Sequence, residues 1–211
     1  MNPKKQAYEK LANTIIEKFE TRGIEGYYCD NKEEALEKAI SLIEKGSTIT
    51  WGGSETLKEI GMLEAIHNGE YILYDRAEAK TKEESRAFYG KAVTADYFLM
   101  SSNAVTQDGQ LVNIDGAGNR LSLLIYGPEN VIVVAGMNKV VKDVDEGIVR
   151  TQNVASPPNT IRLNKDTGCR ELGKCVNCLK DDCICCQVVI TRKSRVKNRI
   201  KVILVGEELG Y

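Results

Sequence analysis

Apolar positions along this chain alternate between two spacings, and the alternation predicts the architecture. Leu11, Ile15, Ile16 and Phe19 recur at helical spacing, which predicts a helix over residues 3–22 with Asn2 as its cap and Pro3 in its first turn. Gly23 and Gly26 end it, and Tyr27–Cys29 reads as a short strand. Asn31 with Glu34 resembles a capping box, and Ala35, Leu36, Ala39, Ile40 and Ile43 form the apolar face of the next helix. Strands follow at 48–51, 71–74 and 97–100, with helices opening at Ser54 and at the Thr81/Glu84 capping box, the latter running to about Thr94. Strands alternating with helices predict an α/β fold, a mainly parallel sheet flanked by helices.

Past residue 100 the rhythm changes. Asn103–Asn113 reads as a hairpin turning at Asp108-Gly109. Leu121–Tyr126 and Asn130–Ala135 read as two apolar strands divided by Gly127-Pro128, and residues 143–155 as a helix that Pro157-Pro158 ends. Gln187–Thr191 and Ile200–Val205 read as the two strands of a hairpin whose tip, Arg192–Arg199, is a solvated basic turn. The division expected is a core over 1–160, with 161–211 a cysteine-rich segment and the hairpin joined to it. No internal repeat is visible.

Composition narrows the function. Lys+Arg total 29 and Asp+Glu 30, a net charge of −1, so electrostatic binding to a nucleic-acid backbone is not expected. No apolar run reaches the roughly 18 residues of a membrane span, and Met-Asn-Pro-Lys-Lys-Gln lacks a signal-like apolar stretch. A soluble cytoplasmic protein is expected. In a reducing compartment clustered cysteines bind metal or do redox chemistry more often than they form structural disulfides. Six of the seven cysteines are so clustered, in the spacing Cys169-x5-Cys175-x2-Cys178-x4-Cys183-x1-Cys185-Cys186. The Cys175-x2-Cys178 pair has the bite of a zinc or iron–sulfur knuckle. Four thiolates drawn from the six would make a tetrahedral sulfur site; redox-active thiols and inert buried thiols are the competing uses.

Two loops carry ligand chemistry. In Trp51-Gly-Gly-Ser-Glu-Thr56 a strand runs into Gly52 and Gly53, which let a ligand approach the backbone, and then into Ser54 and Thr56 at a helix start, where backbone N–H groups favour an anion. A plain strand-to-helix turn with a serine cap explains the same residues. The segment Ser102–Arg120 holds Asn103, Asp108, Asn113, Asp115, Gly116, Gly118, Asn119 and Arg120. A hairpin accounts for Asp108-Gly109 but not for Asp115-Gly-Ala-Gly-Asn-Arg120, which joins backbone donors, a guanidinium and a carboxylate and suits a phosphate, carboxylate or sugar. The plainer reading makes Arg120 half of a structural ion pair. His67 is the only histidine and reads as a helix-end residue, so histidine-based triads and dyads are not expected.

The segments Trp51–Gly61, Asn103–Arg120 and Tyr126-Gly-Pro-Glu-Asn-Val-Ile-Val-Val-Ala-Gly-Met-Asn-Lys139 resemble the LUD domain family, that of lactate utilization protein C, and within it a branch long known as a domain of unknown function. The likeness runs over nearly the whole chain. It implies an α/β fold like that of the ribose-5-phosphate isomerase, glucosamine-6-phosphate deaminase and CoA-transferase superfamily, with an anionic ligand over loops at the strand ends. No glutamate here is assigned the CoA-transferase nucleophile's role; Glu129 is the nearest by location. The resemblance also implies Cys169, Cys175, Cys178 and Cys185 as the ligands of an iron–sulfur cluster or zinc, leaving Cys183 and Cys186 as extras. The chain thus carries three functional expectations. The first is iron–sulfur-linked oxidation of a small carboxylate such as L-lactate, with iron–sulfur oxidoreductase subunits as partners. The second is a transferase or isomerase acting on a phosphorylated or CoA-linked metabolite. The third is a non-catalytic regulator or scaffold. Homo-oligomerisation is compatible with each, and no catalytic residue is assigned.

Overall fold

The computed structural model describes residues 2–211. Its centre is a six-stranded sheet in the order β1-β10-β7-β4-β2-β3, in which every neighbouring pair is parallel. The strands are β1 (Glu25–Cys29), β2 (Thr48–Trp51), β3 (Ile72–Tyr74), β4 (Tyr97–Met100), β7 (Asn130–Gly136) and β10 (Ile200–Val205). This is the predicted α/β class. Side chains alternate across the sheet as a strand's two-residue period requires. Phe98, Met100, Val131, Val133, Val202 and Leu204 pack on one side against Ile15 and Phe19 of α1 (Pro3–Thr21). Leu99, Ile132, Val134, Ile203 and Val205 pack on the other against Ala35 and Ala39 of α2 (Lys32–Ser41). All of these are essentially buried, and each large one contributes about 1.5–3 kcal/mol by leaving water.

A four-stranded sheet, β8-β5-β6-β9, grows from the carboxyl ends of β4 and β7. It comprises β5 (Ala104–Thr106), β6 (Leu111–Asp115), β8 (Val140–Val141) and β9 (Gln187–Thr191). The turn between β5 and β6 is the predicted one, with Gly109 at φ 84°. Helix α7 (Val144–Arg150) packs on this sheet, and at Gly147 a Cβ would stand 3.0 Å from Val112.

Three expectations are corrected. Leu121–Tyr126 is not a strand: Asn119–Ile125 forms α6. Gly118 turns the chain at φ 77°, and the Asp115 carboxylate accepts from the Arg120 and Leu121 backbone N–H groups, which starts a helix where the apolar run alone shows no period. Pro157-Pro158 does not end a helix. The chain passes from α7 through a wider π turn, Thr151–Ala155, into α8 (Ser156–Arg162), whose first turn takes both prolines. Nor do β9 and β10 form a hairpin: β9 pairs with β6, and β10 lies between β1 and β7. The basic segment between them therefore crosses from one sheet to the other, and Arg199 is anchored by donating to the Leu123, Leu124 and Pro128 carbonyls. Among the described residues no helix is long and apolar enough to cross a membrane.

Candidate ligand cleft

Parallel strands end on the same side, and their carboxyl ends open into one crevice. After β2 come Gly53, Ser54 and Thr56; after β4, Ser101, Ser102 and Asn103; after β7, Lys139; after β10, Gly210 and Tyr211. With Asp115–Arg120 and α8 they enclose a cavity of about 390 Å³. Ser54 caps α3 (Glu55–Glu59) by accepting from Leu57 N–H at 3.2 Å, and Thr56 is buried behind it.

Lys139 forms the floor of this cavity. It is 3% exposed and donates to Thr56 Oγ1 at 2.9 Å and Ser101 Oγ at 3.1 Å. An ammonium has three N–H donors, so two hydroxyls leave one over. Among the described residues no carboxylate pairs with it. Burial pushes its pKa down to about 7, the Arg150 and Arg120 guanidiniums add to the fall, and Glu59 opposes it.

Arg120 stands in the wall and is fully engaged. Nε donates to Asp115 Oδ1 at 2.9 Å, Nη1 to Ser101 O and Asn113 Oδ1, and Nη2 to Asn103 Oδ1 and Ile114 O. These five bonds use its five donors. It ties the β4–β5 junction, β6 and α6 together and has no N–H left for a ligand. Arg162 and Lys165 stand at the rim, where Arg162 Nε donates to Tyr211 Oη at 2.7 Å and Lys165 pairs with Asp182 at 3.0 Å.

The cysteines form a second hollow against the first. Cys169, Cys175, Cys178, Cys183 and Cys185 line a cavity of about 70 Å³, and Ser156 and Ile184 belong to the walls of both cavities. Ser156 Oγ is in hydrogen-bond contact with Cys185 Sγ at 3.2 Å. The Asn177 N–H donates to Cys175 Sγ and the Cys185 N–H to Cys183 Sγ, both at 3.4 Å. Burial pushes the Cys185 thiol up, the contact with Ser156 acts against that, and nearby Cys169, Cys175 and Cys178 add to the rise. Burial also carries Cys183 to about 11. A cation among these sulfurs would reverse the repulsion. All seven cysteines are free thiols, and among the described residues no three metal-binding side chains stand close enough together to hold an ion. The donor chemistry fits a thiophilic centre; the sulfurs would have to draw together around it.

The LUD domain profile matches residues 12–205. The chain belongs to the LUD domain family. A DUF162 family protein from Deinococcus radiodurans shares this LUD chain's fold, with a TM-score of 0.51 and 14% identity over 94% of this chain and 98% of that one. A D-ribose-5-phosphate isomerase in complex with phospho-erythronic acid gives a TM-score of 0.35 at 18% identity over 52% of this chain and 53% of its own. The eIF2B delta of Chaetomium thermophilum gives 0.34 at 19% identity over 50% and 46%. No curated protein matches.

Of the residues the LUD sequence nominated for a ligand, Gly53, Ser54, Thr56, Asn103, Asp115, Gly116, Asn119 and Arg120 line the cleft. Gly52 lies behind it, where its missing side chain makes room for Arg120 Cδ, which would be 3.2 Å from a Cβ. Asn113 is buried beneath Arg120, and Gly118 supplies the turn into α6. Asp108 is not in the cleft. It sits at the β5–β6 turn, paired with Arg22 at 2.7 Å and bonded to Gln110, so the turn accounts for it. Sequence reasoning misses Lys139, although it ends the family-like segment Tyr126–Lys139 and directly follows a central parallel strand.

Proposed function

We propose that this LUD domain binds a small organic anion in the cleft and takes part in its iron–sulfur-linked oxidation, with L-lactate to pyruvate the leading case. The observation that carries the reading is Lys139, a buried lysine on the floor of an open cavity that makes no ion pair with any carboxylate among the described residues. A bound carboxylate would supply the missing counter-charge and the acceptor for the spare N–H. Ser54, Ser101 and Asn119 offer hydroxyl and amide groups around it, and Arg120 keeps the loops that present them in place.

The adjoining thiol cavity supports the redox half of the reading. A centre held by Cys169, Cys175, Cys178 and Cys185 would accept electrons when bound, and iron–sulfur oxidoreductase subunits would carry them away. Ser156 and Ile184, common to both walls, keep the two sites apart by little more than one layer of side chains.

Two measurements test this. L-lactate or pyruvate should raise the melting temperature of the protein, and Lys139→Met should abolish the rise. Protein purified without oxygen should be brown and hold iron and sulfide, and replacing Cys175 and Cys178 by serine should bleach it. Colourless protein free of iron and zinc under those conditions defeats the cofactor proposal. Stabilisation by CoA esters alone would favour the transferase reading, which the strand-end position of the cleft also suits.

A further inference from the structure

Lysine is almost never fully buried unless paired. Where a buried lysine serves structure, a carboxylate or several carbonyl oxygens normally hold its charge. Lys139 has neither. Its nitrogen touches two hydroxyls, Thr56 Oγ1 and Ser101 Oγ, and it faces the cavity. It is carried on the short 3-10 turn Met137–Lys139 directly after the central strand β7, packed beneath the segment around Gly210, where a Cβ would stand 3.3 Å from the nitrogen. The side chain is thus fixed, shielded from bulk water and open on one side only.

We propose that Lys139 is a nucleophile, whose amine condenses with the carbonyl of a small anionic aldehyde or ketone to form an imine in the cleft. The proposal rests on the reading of the cleft as an anion site and adds a covalent step to it. The nitrogen lone pair attacks the carbonyl carbon, and the carbonyl oxygen takes one of the two amine protons to give a carbinolamine. The C–O bond then breaks, the hydroxyl leaves as water with the second amine proton, and a C=N bond remains. No oxidant, reductant or metal enters the balance. The hydroxyls of Thr56 and Ser101, which accept from the nitrogen, are the groups placed to relay those protons.

The amine must be neutral to attack. Desolvation beside a cationic group is the recognised way to make a lysine so, and Lys139 has both, with Arg150 and Arg120 nearby and a value brought to about 7.

Reductive trapping tests the step. The full chain is incubated with pyruvate or with glycolaldehyde phosphate, treated with borohydride, and mapped by peptide mass; the same compounds are assayed by thermal shift without borohydride. One adduct per chain at Lys139 is expected. With pyruvate its mass gain should equal pyruvic acid less one oxygen atom. The arm that reacts tells whether the anionic group is a carboxylate or a phosphate. Lys139→Arg, which forms no imine, should lose the adduct while circular dichroism shows the chain still folded. A thermal shift with no adduct at Lys139 overturns the imine and leaves the anion site standing. Labelling spread over surface lysines, unchanged in Lys139→Arg, also overturns it. Neither shift nor adduct overturns both readings.

Discussion

Holding Lys139 between two hydroxyls costs the folded state whenever the side chain is charged, and the direction of that cost can be worked out. Its value falls from the ordinary 10.5 to about 7 on folding. Between those limits the unfolded chain binds more protons than the folded one, so stability should rise with pH across that window and level off above it. Denaturation midpoints measured through the window should show this slope in the wild type and lose it in Lys139→Met. A bound anion acts oppositely. It needs the ammonium, so affinity for L-lactate should fall as pH rises through about 7, by about tenfold per unit well above it. Arg150, Arg120 and Glu59 are the charged groups that act on Lys139, and the comparison with Lys139→Met is what assigns the slope to Lys139. Arg120 makes a different prediction. Arg120→Lys keeps one charge but removes the planar fork, leaving the Asn113 and Asn103 side-chain oxygens and the Ile114 carbonyl short of donors. A loss of at least about 2 kcal/mol in urea unfolding is expected. The glycines and short polar residues of this site were legible in the sequence because turns and close approaches demand particular residue types. Lys139 was not, because a lysine reveals its burial only through the groups that pack around it.

At the scale of elements, the caps were the most legible part. Asn2, Asn31, Ser54 and Thr81 each accept from a backbone N–H two or three residues on, an interaction contained within a few residues and so written locally. The misread elements fail where a local pattern has two solutions. Leu121–Tyr126 has no polar face to betray a helix, and it takes the Asp115 carboxylate on two N–H groups to decide the matter. Two prolines in succession ordinarily stop a helix, but here a wide turn precedes them and the axis continues. That turn sets which side chains of α8 face the cleft: Thr151 and Ala155 of the turn and Ser156, Asn159 and Arg162 of α8 all line it. Deleting Val154, which is exposed, should restore ordinary helical register and rotate α8 by about 100°. Ser156 and Arg162 would leave the cleft wall. The stabilisation by L-lactate should vanish in a thermal-shift assay while circular dichroism shows helix content retained.

For the whole molecule, the fold class was readable because strand–helix alternation permits few other layerings, whereas the strand order was not. The last two strands look like a hairpin only if neighbours in sequence are assumed to be neighbours in space, and each has another partner available: β6 for β9, β1 and β7 for β10. This placement governs when the protein can exist at all. Strand β1 lies at the sheet edge, and its one hydrogen-bonded neighbour among the described strands is β10, so β1 cannot pair until β10, about 170 residues later, is made. Pairings of such long range are slow to form, and their unpaired edges are exposed meanwhile. A chain halted at Arg199 should leave α1 and β1 open to limited proteolysis that the full chain resists. Gly210 and Tyr211, pieces of the cleft wall, lie on the segment that follows β10. The strand that closes the sheet's β1 edge thus also brings in two pieces of the cleft wall, so sheet and cleft are completed together.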